Sequence, residues 1–259
     1  MFNKDVYGFT LLEIAVALLI ISVIAGTIVA GKSMIRASEI RNFIKEMDVF
    51  RTNMHVFEAK YQGKAGDIVN ATSFWGELDS DNATCITTTA TDMRTCNGNG
   101  DGRLEAHEGF RMWQHLSNAG LMNGQFTGTA GALGVNDAVP SINVPESAIN
   151  NIFYMVQHFG NANFRYFNTV RGNILFIGKS DRMFNNQPWI PFLTSQETRN
   201  IDVKLDDGLP VTGSIIAHKE FIALPGEPPF QCTTSNDEAI AEYNLAKNGI
   251  ICSFSLLVD

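Results

Sequence analysis

The residues best suited to do chemistry lie in one short segment, Asn97 to Glu108, which reads NGNGDGRLEAHE. With Asn97 as the first position, side-chain oxygens stand at the first, third and fifth places as Asn97, Asn99 and Asp101, Gly102 follows, and Glu108 closes the run at the twelfth. Arg103 would add its backbone carbonyl, Leu104 takes the apolar place after it, and Glu105 could act through water. A hard cation such as Ca²⁺ seeks about six to eight oxygens, a glycine allows the sharp turn, and a final glutamate closes the shell with both of its oxygens. Asn97 stands where an aspartate is usual, so the shell carries less charge and modest affinity is expected, as in extracellular sites. The competing reading is an Asn and Gly turn that holds no metal.

A second chemical signal is a lone acid in an apolar run. Phe9 to Ala30, FTLLEIAVALLIISVIAGTIVA, contains one charge, Glu13. As a helix this stretch is about 33 Å long, enough to cross a hydrocarbon core of roughly 30 Å. It is too long for a secretory signal and lacks the small-residue cleavage site that would end one. An ionised carboxylate in hydrocarbon costs several kcal/mol, so Glu13 demands a partner. Lys4 precedes the run, which leaves the N-terminus cytoplasmic and sends the rest of the chain across the membrane.

The four cysteines fall as two close pairs, Cys85 with Cys96 and Cys232 with Cys252. An even number in an exported chain suits two disulfides, and the close pairs favour those partners among the three pairings possible. The alternative is a zinc site, for which spacings of eleven and twenty residues are poor.

The elements that position these groups are legible in part. Beyond Lys32, apolar residues recur at Ile40, Phe43, Met47, Phe50, Met54, Phe57 and Tyr61, in alternating steps of three and four. That stripe predicts one helix from about Phe9 to Tyr61, stopped by Gly63 and Gly66, with its apolar face packed on a globular domain. The calcium loop lacks an entering helix, and only an exit helix over 106–119 is expected, so the loop is a structural clamp rather than a sensor. Strands are predicted over 151–158, 163–170 and 173–179, an antiparallel meander, with a fourth over 249–258.

Gly8-Phe9-Thr10-Leu11-Leu12-Glu13 resembles the processing motif of type IV pilins and type II secretion pseudopilins. The resemblance implies that a prepilin peptidase cuts between Gly8 and Phe9 and methylates the new Phe9 amine. It also implies that Glu13 pairs with the terminal amine of a neighbouring subunit during assembly. The implied organisation is a leader over 1–8, a transmembrane and filament-core helix over 9–31, an amphipathic continuation over 32–62, and an extracytoplasmic globular domain over 63–259. The fold class is then α+β, a long helix packed on an antiparallel sheet. Many relatives break the apolar helix with a proline, whereas here none precedes Pro140.

The implied function is that of a structural subunit of a pilus or pseudopilus, held in the inner membrane before assembly with other subunits. The chain's length favours a minor subunit. A tip adhesin and a membrane-anchored extracytoplasmic enzyme are the alternatives. No enzymatic activity is expected: His55, His107, His115, His158 and His218 show no metalloprotease spacing, and no nucleophile elbow or phosphate loop occurs. A net charge of −8 and the lack of any basic run argue against nucleic-acid binding. Trp75, Trp113 and Trp189 read as core. Asp202, Asp206 and Asp207 read first as a solvated turn and second as another cation group.

Overall fold

The apolar run and the stripe that follows it contain no proline, and Gly26 and Gly31 each cost a helix only about 1 kcal/mol relative to alanine. They form one unbroken helix, α1 (Leu11–Tyr61). The computed structural model describes residues 10–160, 167, 172–182, 185–219 and 231–258. Two compact units make up the chain, Met1–Asn42 and Phe43–Asp259.

In the first unit the side chains from Thr10 to Ile28 are exposed. This part of α1 is long and apolar enough to cross a membrane, and its most apolar window buries nothing against protein. Arg36 and Glu39 form an ion pair at 3.3 Å one turn apart.

In the second unit, three short or medium helices follow α1: α2 (Thr72–Trp75), α3 (Asn82–Cys85) and α4 (Ala106–Asn118). The strands are β1 (Phe153–Phe159), β2 (Gly172–Asp181) and β3 (Gln187–Ile190). After them come α5 (Ser195–Leu205), β4 (Ile215–Ala217) and β5 (Phe254–Leu257). The antiparallel sheet runs β1-β2-β5-β4, and β3 pairs with the end of β2 with a register shift between Lys179 and Asp181.

β1 pairs directly with β2, from Phe153 opposite Gly178 to Phe159 opposite Gly172. The strand expected over 163–170 lies outside the described residues, apart from the buried Phe167. The expected strands over 151–158, 173–179 and 249–258 correspond to β1, β2 and β5. The helix over 106–119 corresponds to α4.

The stripe on α1 builds the core, as its period requires. Phe43, Met47 and Phe57 are fully buried and Phe50 nearly so, whereas Met54 and Tyr61 are half-buried. The Phe43 ring meets Phe192 and Phe254 edge-on at 5.5 and 6.0 Å, and Phe50 meets Tyr154 and Trp113 at 4.9 and 5.1 Å. Burial of each such side chain contributes about 1.5–3 kcal/mol. Polar pins fix the helix's rotation: the Glu46 carboxylate accepts from Ser147 Oγ at 2.7 Å, from the Ala148 amide at 2.8 Å and from the Tyr154 hydroxyl. Asn53 donates to the Leu121 carbonyl at 2.6 Å.

The stop signal differs from the expected glycine. Gln62, with φ of 56°, takes the left-handed position after α1, and Gly66, with φ of 91°, turns the chain toward α4. Both disulfides, Cys85–Cys96 and Cys232–Cys252, are present, and among the described residues no cysteine is free.

Candidate cation centre and N-terminal motif

The acidic loop lies between the first disulfide and α4, whose first turn carries Glu108. Leu104 anchors it: the side chain is fully buried, its amide donates to Asn173 Oδ1 at 2.8 Å, and its carbonyl accepts from the His158 amide at 2.7 Å. The Asn173 carboxamide also donates to the Gly102 carbonyl at 2.9 Å, so a β2 side chain holds the loop's turn to the sheet. Gly102, with φ of 82°, provides the left-handed residue that the sharp turn needs.

The sequence-predicted ligands divide into two groups. Asp101 and Glu108 come together, and Asp67 joins them: carboxylate oxygens of all three lie within 4.8 Å of one another. Asn97 faces elsewhere, its Oδ1 accepting the Thr72 amide at 2.9 Å at the start of α2. Asn99 Oδ1 accepts the Asp101 amide and Asp101 Oδ1 accepts the Arg103 amide, at 2.9 and 2.8 Å. Glu108 Oε1 and Oε2 accept the amides of Asn99 and Glu105, both at 3.2 Å.

Asp67 is the residue that sequence reasoning missed. Its Oδ1 accepts the Gly100 amide at 2.7 Å and its Oδ2 the Gly102 amide at 2.9 Å, so it serves the loop from the chain segment after α1. An aspartate beside Gly66 was the only sequence cue, and nothing in local spacing links it to a loop more than 30 residues away.

Three acids in a half-dry corner repel one another. Burial pushes the Glu108 carboxyl up to about 7, and the charges of Asp67 and Asp101 push in the same direction, against the pull of the two amides it accepts. A cation between them would reverse that logic by supplying the missing positive charge.

The second acidic group is held by its own turn. Asp202 accepts the Gly208 amide at 3.1 Å and the Tyr243 hydroxyl at 2.6 Å. Asp206 accepts the Ser214 and Ile215 amides, and Asp207 accepts the Leu209 amide and the Thr212 hydroxyl. Burial raises the Asp202 carboxyl to about 6, with its two donors pulling down and the neighbouring acids pushing up.

His115, on α4 beyond the loop, is a core residue. His115 is fully buried, stacks on Trp75 at 5.2 Å, accepts the Gly66 amide through Nδ1 at 2.9 Å, and meets Thr95 Oγ1 through Nε2 at 2.9 Å. Burial, with the nearby Arg111 charge, holds it down to about 3. Trp113 is buried among the core rings, as expected, and Trp189 is also buried, whereas Trp75 is half-buried.

At the head of α1, Gly8 and Phe9 lie outside the described residues. Thr10 and Glu13 form a reciprocal cap: Glu13 Oε2 accepts from the Thr10 amide and hydroxyl, each at 2.8 Å, and the Glu13 amide donates to Thr10 Oγ1 at 3.3 Å. In the single chain the acid thus satisfies its own helix terminus, where free amide hydrogens need an acceptor.

A long N-terminal helix with a capped acid at its head, followed by an antiparallel sheet, is a pilin-like architecture. Residues 3–29 match the family model described as the prokaryotic N-terminal methylation motif, and the chain thereby carries the signature of type IV pilins and pseudopilins. No curated protein and no solved structure matches the chain.

Proposed function

We propose that this protein is a structural subunit of a type IV pilus or a type II secretion pseudopilus. A prepilin peptidase removes residues 1–8 and methylates the Phe9 amine, and the apolar part of α1 holds the subunit in the inner membrane with its globular domain outside. Glu13 then exchanges its own cap for the Phe9 amine of a neighbouring subunit, and the apolar helices bundle as the filament core. The observation that carries this reading is the coincidence of the methylation motif at residues 3–29 with an apolar stretch of α1 whose most apolar window buries nothing against its own protein. Lipid is as apolar as a neighbouring helix, so close packing and the amine to Glu13 pair set the register rather than hydrophobic gain. Mass spectrometry of the protein from cells with an active peptidase tests it: an N-methylated Phe9 terminus is expected, and an intact Met1 start overturns it.

The globular domain carries a structural Ca²⁺ in the acidic loop. Asp67, Asp101 and Glu108 supply the charge, and Asn99 and the Arg103 carbonyl lie in the same loop. Two findings support this reading: the ligand spacing in the sequence, and the convergence of Asp67 on the two loop carboxylates from a distant part of the chain. Calorimetric titration of the full chain with calcium tests it; absence of heat from the wild type refutes it.

A further inference from the structure

A cation loop of this type is ordinarily held at both ends, by an entering and a leaving helix. Here α4 leaves the loop, while Ile86 to Arg94, ahead of it, contain neither helix nor strand. In place of a helix the chain has the Cys85–Cys96 disulfide, and Cys96 directly precedes Asn97. Both sulfurs belong to buried residues.

The closed segment is fastened to the same helix that carries Glu108. Arg111 donates to the Cys85 and Thr88 carbonyls at 2.8 and 2.7 Å, and Gln114 donates to the Arg94 carbonyl at 2.9 Å. Thr95 Oγ1 donates to Gln114 Oε1 at 2.8 Å, and Asn118 donates to the Met93 carbonyl at 2.7 Å. The disulfide therefore closes a frame whose other side is α4, and both ends of the acidic loop are tied to that frame.

We propose that the Cys85–Cys96 disulfide takes the place of the entering helix and sets the affinity of the loop for Ca²⁺. The proposal rests on the calcium reading above. Its physical basis is preorganisation: three carboxylates must be held together before the ion arrives, and whatever fixes the loop's first residue removes that ordering cost from binding. A chain with these two thiols still reduced binds calcium weakly. Because the pair forms in an oxidising compartment, loading follows export. Cys232–Cys252 closes a different segment, 233–251, and has no such role.

Calcium titration of the detergent-solubilised full chain decides this. Cys85→Ser/Cys96→Ser is expected to bind at least about tenfold more weakly than the wild type, by the loop-ordering it forgoes. Cys232→Ser/Cys252→Ser should stay within about twofold, since it closes a segment that contains none of the loop's residues. A third variant, with two glycines inserted between Cys96 and Asn97, keeps both disulfides and every acid; it should reproduce the loss, and it decides the matter if the serine variant does not fold. Wild-type affinity in the serine and insertion variants overturns the role of the disulfide while leaving the calcium site standing. Equal weakening by loss of the second pair also overturns it, since the effect is then general destabilisation. A wild type that binds no calcium overturns both readings.

Discussion

Asp67 accepts amide hydrogens from Gly100 and Gly102 and lies beside Asp101 and Glu108, whereas the Asn97 oxygen is spent on the Thr72 amide. The two residues should therefore respond differently to substitution. Asp67→Asn is expected to weaken calcium binding at least as much as Asp101→Asn in calorimetry. Asn97→Ala should leave affinity nearly unchanged and lower stability by about 1 kcal/mol, the usual cost of a lost cap. His115 supplies a pH dependence of stability. Its ordinary value of 6.5 falls to about 3 in the fold, chiefly through burial and then through the Arg111 charge. As pH drops below 6.5 the unfolded chain takes up a proton that the folded chain refuses, so stability is lost progressively toward about pH 3. Melting curves across that range should slope less steeply in His115→Gln than in the wild type. Equal slopes would assign the acid sensitivity to other groups.

Among the elements, α1 does two jobs with one helix. From Phe43 onward its stripe is core, and Phe43 lies between Phe192 and Phe254 with no exposure. Phe43→Ala should cost about 3–5 kcal/mol in chemical denaturation, through lost burial and the cavity left behind. Val49 sits on the same helix but is 46% exposed, and Val49→Ala should stay within about 0.5 kcal/mol. Helix α4 has a comparable double duty. One side carries Trp113 into the aromatic core, another carries Glu108 to the acidic loop, and Arg111 and Gln114 grip the disulfide segment. Gly109 allows its close approach to the Val156 carbonyl on β1. Packing of α4 and geometry of the loop are thus inseparable.

At the scale of the whole molecule, the proposed function assigns membrane retention and assembly to different parts of the same helix. Glu13→Ala should leave the subunit in the membrane fraction, since the apolar run is untouched, yet impair its entry into filaments isolated by shearing and sedimentation. Normal incorporation would count against the pairing of Glu13 with a neighbour's amine. Saturating calcium should raise the melting temperature of the globular domain, by the mass action of a ligand bound only to the folded state. Glu108→Gln should remove that increase.

The sequence alone determined the features whose causes are local or strictly periodic. A 22-residue apolar run with a single acid, a stripe at helical spacing from Phe43 to Phe57, cysteines close in the chain, and the exit helix beginning near Ala106 were all readable because neighbouring residues decide them. The short strands β3 and β4 were not, because three or four residues carry too little pattern, and Pro188 argues against the first. Helix α5 did leave a sequence cue, the Thr194 to Glu197 capping box, but its weak amphipathic pattern hid it. Only the tertiary structure decided which acids share one corner. Asp67 reaches the loop because Gln62 and Gly66 turn the chain back after α1, and Asn97 is drawn away because α2 needs an acceptor at its first amide. Those are contacts between distant segments, and no spacing along the chain encodes them.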